Sequence, residues 1–472
     1  MPTARPNRRR FLRTAAAGTL AGISLPCWVP SHALGAPGRP GANQRVNVGL
    51  IGLGGRARSL TKTCLELPGI HIAAICDVFK PRCGDFVNKF SGQGDWKVYF
   101  GDFRRMIERE KLDAAMIATT THARAWITIL AMQAGLDVYF EKPMCLTIAE
   151  GRTMVQAARK YQRVTQVGTQ QRSMPINNWA SDLVKNGALG KIHTVLAPNF
   201  VGPDQWVDQP GQPLPDGGSE NWWDLWTNQA VLRPYHPRLH LGWKQWSDFT
   251  AGGRCFGVDG WGSHSYDQVN RALGTDETGP LAIVLEEPVC LMQSGKFVHD
   301  AELTGIVGDD DTGKPYHGMS KLVGPRARMT MTFANGTQLK LHLDGDRGPG
   351  LGAIFIGEKG KLEINRNKIV SNPKALIQSA DNPGPNQRDE TSYHIENWLD
   401  CIRTRKRCNA DVEYGQRSNT LCDLVNIVRD VGRVGETLKW DPAAERFTNC
   451  EEANQMLSRP RRKGYELPDV GA

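Results

Sequence analysis

Residues 45–57 read RVNVGLIGLGGRA, and this stretch decides the fold. A β-branched apolar run that stops at a glycine suits a parallel strand buried on both faces. The turn Gly52-Leu53-Gly54-Gly55-Arg56-Ala57 follows at once. Gly52 permits a tight bend, Gly54 lets the backbone approach a pyrophosphate, and Ala57 supplies the third small position, where a helix packs on the strand. Phosphates would then meet the N-terminus of that helix.

The next strand, HIAAICD, ends in Asp77 at the distance where an acidic residue binds a ribose. Its carboxylate would accept from the 2′- and 3′-hydroxyls and repel a 2′-phosphate, which favours NAD. Lys80, close by, keeps NADP open. Downstream, KLDAAMIAT reads as a strand, His122 to Ala134 as a helix and Leu136 to Phe140 as another strand. A helix from Ile148 to Lys160 and a strand from Arg163 to Gly168 complete a βαβ succession.

After Gly168 the pattern changes. RARMTMTF and TQLKLHLD, joined by Asn335-Gly336, form a hairpin signal, and further extended stretches follow. The expected fold is α/β, with an N-terminal Rossmann doubly wound parallel sheet followed by an α+β domain with a mainly antiparallel open sheet. The expected divisions are a leader at 1–36, a nucleotide domain at 37–168 and a substrate and oligomerisation domain at 169–472. The helices around Ile395–Ile402 and Leu421–Val428 read as packing elements.

Composition agrees with a soluble globular protein: 40% of the 472 residues are hydrophobic and 23% charged. The formal charge is +9. Arg5, Arg8, Arg9, Arg10 and Arg13 carry five of those charges, so the excess does not indicate nucleic acid as a partner. The short basic run Arg403, Arg405, Lys406, Arg407 reads as a solvated face. The ten cysteines beyond the leader form no C-x-x-C pair and no Cys/His metal spacing, so buried thiols and no metal are expected.

Within the leader, NRRRFLR is followed by a weakly apolar stretch, Thr14 to Leu25, and by Ser31-His32-Ala33 as a small-residue cleavage site. The pair Arg8-Arg9 with Phe11, Leu12 and Arg13 resembles a twin-arginine export signal. That resemblance implies the twin-arginine machinery as a partner, a periplasmic location, and a cofactor loaded before export.

The strand LDVYF runs into Glu141-Lys142-Pro143. With the glycine turn, IATTTH, QVGTQQRS, NWWDLW, RPYHP and GWGSHSYD, the chain resembles the glucose-fructose oxidoreductase, inositol dehydrogenase and rhizopine-catabolism family, Gfo/Idh/MocA. The resemblance implies a nucleotide site built from Gly52, Gly54, Gly55, Arg56, Ala57, Asp77, Thr119, His122, Glu141 and Lys142. Lys142 would sit beside the nicotinamide and the substrate carbinol, where its ammonium steadies a developing alkoxide.

In that family an Asp precedes the catalytic His by four residues. His264 matches the His, and an imidazole is a suitable base. Gly260 stands at the Asp position, and Asp259 is one residue early. Three accounts are open: Asp259 reaches the site by another loop path, Asp267 orients His264, or the relay is missing. The second is preferred. Candidate substrate contacts are Arg172, Trp223, Asp224, His236 and Tyr266, with Arg233 nearby. Trp206, Trp222, Trp223, Trp226, Trp243 and Trp246 offer faces on which a sugar can stack, or else pin a long loop.

The expected activity is NAD(P)-dependent oxidoreduction at a secondary hydroxyl of a sugar, sugar derivative or polyol. The cofactor would stay bound and be recycled within each cycle. Two alternatives are a redox-assisted glycoside hydrolase or epimerase acting through a keto sugar, and a cofactor-holding, sugar-binding pseudoenzyme. The resemblance also implies a homo-oligomer.

Overall fold

A computed structural model describes residue 41 and residues 44–252, 257–292, 324–343 and 350–471. The arginine-rich leader and Cys255 lie outside the described residues. Strands are numbered in chain order. The first sheet contains β1 (Val46–Ile51), β2 (Ile70–Asp77), β3 (Lys97–Phe100), β4 (Ala114–Ile117), β5 (Asp137–Phe140) and β6 (Thr165–Val167). Its order is β3-β2-β1-β4-β5-β6, with every neighbouring pair parallel.

This is the doubly wound sheet the glycine turn led us to expect. Val48, Leu50 and Ile51 of β1 are buried because helices cover both faces of the sheet. The strand order reverses between β1 and β4, and the crevice at their carboxyl ends is where such sheets bind ligands. The helix expected at Ile148–Lys160 has those bounds, and the one expected from His122 spans Thr121–Gln133. The edge strand β3 was not expected. Its KVYF is mostly exposed, so it carries no buried-strand pattern to read.

The second sheet has nine strands in the order β15-β14-β13-β7-β12-β11-β8-β16-β17. Their bounds are β7 Ile192–Pro198, β8 Pro280–Leu285, β11 Met329–Phe333, β12 Gln338–Leu343, β13 Ala353–Gly357, β14 Gly360–Asn365, β15 Lys368–Asn372, β16 Thr437–Asp441 and β17 Arg446–Phe447. A separate short pair joins β9 (Cys290–Met292) to β10 (Gly324–Arg326). Within the nine-stranded sheet β7 and β12 pair in parallel, and the other described neighbours run antiparallel. The Asn335-Gly336 hairpin joins β11 to β12 as its sequence requires, with Thr332 opposite Gln338.

The chain returns to the first sheet near its end. Ile395, Trp398, Leu399 and Cys401 of the helix Glu390–Thr404 share a core with Leu50 and Ile75. The helix Val412–Val431 instead packs Leu421, Leu424, Val425 and Val428 into the core of the second sheet. These returning helices hold the two sheets around one cleft. Among the described residues no helix is long and apolar enough to cross a membrane. Eight of the nine described cysteines are buried, and Cys290 is exposed.

Candidate active site

A cavity of about 880 Å³ opens at the carboxyl ends of β1, β2, β4 and β5. At one end lies the glycine turn. Gly52 has φ +85°, and a Cβ there would come within 2.9 Å of the Ala118 backbone, so only glycine closes this bend. The helix Gly55–Glu66 starts directly behind Gly54. A Cβ on Gly54 or Gly55 would meet no atom within 4 Å, which leaves open room in front of the helix N-terminus. That room suits a pyrophosphate. Ala57 is fully buried and packs the helix onto the sheet, outside the cavity wall.

Asp77 lines the same end. Its carboxylate accepts from the Leu53 N–H at 2.9 Å and the Phe79 N–H at 3.0 Å, tying the glycine turn to the end of β2. Lys80 is directed elsewhere, with its ammonium 5.1 Å from the centre of the Phe100 ring. Arg58 and Arg82 are the cations on the wall here.

The other end is built by β5. Glu141 is buried and accepts from Arg56 Nε at 2.7 Å, the Tyr139 hydroxyl at 3.0 Å and Gln170 Nε2 at 3.3 Å. Burial alone would raise its pKa, but Arg56 and Lys142 outweigh that and hold it below the ordinary value. Arg56 thereby joins the nucleotide turn to the chemistry. Lys142 Nζ donates to the Gly260 carbonyl at 2.5 Å. Burial lowers the Lys142 pKa to about 8 despite the pull of Glu141 in the other direction.

His264, 4% exposed, lines the cavity beside Lys142 and Gly260. Burial, together with the positive charges of Lys142 and Arg366, pushes its pKa well below the usual value, so the imidazole is neutral. Its Nδ1 has no hydrogen-bond partner among the described residues.

Neither expected carboxylate orients that ring. The Asp267 carboxylate is engaged by Arg172 Nε at 2.7 Å and by the Ser418 hydroxyl at 2.7 Å. Three residues along the helix Ser263–Leu273, it faces the turn Gln170–Ser173 instead of the imidazole. Asp259 is fully buried behind the cavity, where it accepts from the Ala251 N–H at 3.1 Å and Thr250 Oγ1 at 3.4 Å. Burial raises its pKa to about 7. Gly260, at the position where the resemblance implies an Asp, offers only its main-chain carbonyl, which accepts from Lys142 Nζ.

The expected substrate contacts are likewise corrected. Arg172 spends its guanidinium on Asp267 and on Asp276, 2.8 Å away. Tyr266 is buried in the core of the second sheet and donates to the Pro198 carbonyl at 3.3 Å. Trp223 stacks on Trp226 at 4.9 Å within a closed aromatic cluster and donates to the Arg233 carbonyl. Asp224 is held by Arg462 and by the Tyr465 hydroxyl, each at 2.6 Å. His236 Nδ1 accepts from the Arg238 N–H at a helix start. These residues pin the tryptophan-rich loop, and two of its rings, Trp226 and Trp243, also line the cavity.

His122, expected at the nucleotide, also belongs to that framework. Its ring is buried against the Trp226 carbonyl at 2.8 Å, and burial lowers its pKa to about 4. Thr119, Thr120 and Thr121 line the cavity in its place.

Several wall residues were not expected. Arg124 is buried and donates to the Pro143 and Thr119 carbonyls, bracing the Lys142 turn against β4. Lys244, Trp261, Leu351 and Arg366 come from loops of the second half, as does Trp243, which the sequence offered as a stacking face. Only the tryptophans had a compositional signal. The others sit in stretches where no spacing separates a wall residue from a surface one.

Known proteins share this organisation. Residues 46–169 match an oxidoreductase family described by its NAD-binding Rossmann fold, and residues 315–467 match the C-terminal alpha/beta domain of the same family. Together the matches span more than half of the chain. The chain belongs to the Gfo/Idh/MocA oxidoreductase family, and the cofactor of that fold is NAD.

Among curated relatives, glycosyl hydrolase family 109 proteins of Shewanella baltica and Shewanella pealeana are 28% and 31% identical over 173 residues. Each match covers 33% of this chain and 38% of the relative. Among solved structures, an aldose-aldose oxidoreductase from Caulobacter crescentus complexed with glycerol is similar with a TM-score of 0.51 at 17% identity, covering 84% of this chain and 99% of that one. GenD2 from gentamicin A biosynthesis, in complex with NAD, gives 0.55 at 14% identity, covering 84% and 97%. At these identities the structural likeness shows the fold alone.

Proposed function

We propose that this chain oxidises or reduces a secondary hydroxyl of a sugar, sugar derivative or polyol, using NAD that stays bound. One observation carries the reading: a single cavity has the glycine turn and Asp77 at one end and Lys142 with His264 at the other. The residues fit the cofactor. Open room at Gly54 and Gly55 would take the pyrophosphate, Asp77 the adenosine ribose, and Thr119 with Glu141 would flank the nicotinamide end.

Bound NAD supplies the hydride acceptor. The protein's part is to hold the carbinol oxygen near the Lys142 ammonium, which stabilises negative charge developing there. His264, already neutral, takes the hydroxyl proton as the carbonyl forms and returns it in the reverse half-cycle. The Gly260 carbonyl keeps the ammonium in place between turnovers.

A second reading is favoured by the glycosyl hydrolase family 109 relatives and by Gly260 at the usual acid position. Here oxidation to a keto sugar would be followed by loss of a glycosidic group, addition of water and re-reduction. The leader supports export by the twin-arginine pathway to the periplasm, and there a captive cofactor restored in each cycle suits either chemistry. A homo-oligomer belongs to the same reading.

The deciding experiment purifies the exported full-length protein and adds sugars and polyols without free nucleotide. We expect stoichiometric bound nicotinamide whose near-ultraviolet absorbance changes on addition of substrate. Release of a reducing sugar from a glycoside would select the second reading. Protein that carries nucleotide inert to the whole panel would leave only the sugar-binding pseudoenzyme.

A further inference from the structure

The charges on the cavity wall do not balance. Three carboxylates line it, Asp77, Glu141 and Glu390, and each faces a guanidinium: Arg82 at 3.9 Å, Arg56 at 2.7 Å and Arg366 at 2.9 Å. Arg58, Arg124, Lys142 and Lys244 also line the wall, and no carboxylate pairs with any of them among the described residues. Arg58 stands at the glycine-turn end, where a dinucleotide brings two phosphate charges. Arg124 is turned to main-chain carbonyls.

The imbalance therefore falls at the substrate end. Lys142 is bonded only to a carbonyl, and Lys244 lies at the cavity mouth with its ammonium 5.8 Å from the centre of the Trp243 ring. Arg366, in the turn between β14 and β15, gives one guanidinium nitrogen to Glu390 and keeps Nε buried without a partner. Lys244 and Arg366 repel the Lys142 ammonium while Glu141, already paired with Arg56, attracts it, so the three cations share one region. Cations crowded into a partly desolvated cleft destabilise one another unless an anion joins them. Oxidised nicotinamide, itself cationic, adds to the same sign.

We propose that the substrate is an acidic sugar, with its carboxylate or phosphate group held by Lys244 and Arg366 while the hydroxyl to be oxidised meets Lys142. This rests on the sugar-oxidoreductase reading and names its substrate class. A charged pair of this kind gives selectivity over a neutral sugar of the same ring through charge-assisted hydrogen bonds.

The test is calorimetric titration of the full-length, NAD-loaded protein with hexuronates, hexose 6-phosphates and the parent hexoses. We expect at least one acidic class to bind ~10-fold or more tightly than its neutral parent. That preference should fall to within ~3-fold in Lys244→Gln combined with Arg366→Gln. The single variant Lys244→Gln, at the cavity mouth, should lose part of it with an unchanged melting temperature. Neutral hexoses binding as well as the acids, no binding of any acid, or a preference that survives both substitutions would overturn the proposal.

The two readings fail separately. Cofactor reduction by neutral polyols with no acid bound removes the acidic substrate and leaves the oxidoreductase. Lysine-dependent binding of acids with no change in the bound cofactor supports the anion site and removes the sugar oxidoreduction.

Discussion

Lys142 Nζ donates to the main-chain carbonyl of Gly260 at 2.5 Å, so the hydrogen-bond partner of this ammonium is a neutral peptide oxygen. A carbonyl orients the ammonium but neutralises none of its charge. Burial accordingly brings the Lys142 pKa down to about 8. If the charged form steadies the reacting oxygen, turnover should fall as pH rises through about 8. Lys142→Met should lower kcat by ~10²–10³-fold, with bound NAD retained. Gly260→Asp should carry the alkaline limb upward by about one unit or more, because a neighbouring carboxylate favours the ammonium. An alkaline limb that does not move in that variant would separate the limb from Lys142.

His264 is expected to act without charge. Its pKa lies well below the usual histidine value, so no loss of rate should appear as pH falls from 8 to about 6. His264→Ala should reduce kcat by ~10²–10⁴-fold while nucleotide stays bound. A wild-type pH profile with an inflection near pH 6.5 that vanishes in His264→Ala would contradict the neutral assignment.

The fold was legible because it is written in local patterns. The run into Gly52, the acidic end of β2 and the Asn335-Gly336 turn each need one backbone path, and the chain follows it. The site was only half legible. Lys142, Glu141, Asp77 and the glycines sit at strand ends, where the sheet itself delivers them to the cavity. Asp267, Arg172 and Tyr266 lie on or against a helix whose buried face is polar, and sequence does not tell a buried ion pair from a substrate contact. Asp224 failed for a related reason: its partners, Arg462 and Tyr465, are remote in sequence, whereas Trp223 and His236 are taken up within their own loop by Trp226, Arg233 and Arg238.

Asp77 should set cofactor choice. Asp77→Ala removes the acceptor for both the ribose and the Leu53 N–H, and should weaken NAD binding by ~10-fold or more. NADP should lose less, because Arg58 and Arg82 remain on the wall. Fluorescence titration of cofactor-stripped protein with both nucleotides checks the ratio. Equal losses for the two would mean that Asp77 supports only the turn.

Arg172 should behave as a framework residue. With its guanidinium buried between Asp267 and Asp276, Arg172→Met strands two carboxylates and should cost about 3–5 kcal/mol of stability. Asp267→Asn, which keeps acceptor capacity, should cost less. Urea unfolding measures both. A large rise in KM with unchanged stability would return Arg172 to the substrate.

Asp259 offers a pH signature of the buried region behind the cavity. Its pKa rises from the unfolded value of about 3.9 to about 7 in the fold, because burial disfavours the carboxylate. The folded state therefore binds the proton more tightly. Below pH 4 both states are protonated and the group adds no pH-dependent penalty. As pH climbs from 4 to 7, the unfolded chain ionises first and gains relative stability, so the native state weakens across that window. Above pH 7 the loss is complete. Asp259→Asn removes this titration, so its stability relative to wild type should grow between pH 4 and 7 and level off above. The interval between the unfolded and folded pKa values sets a ceiling of about 4 kcal/mol on that gain. Urea midpoints at pH 4, 5.5, 7 and 8 give the comparison, and parallel curves for the two proteins would show that Asp259 is ionised in the fold.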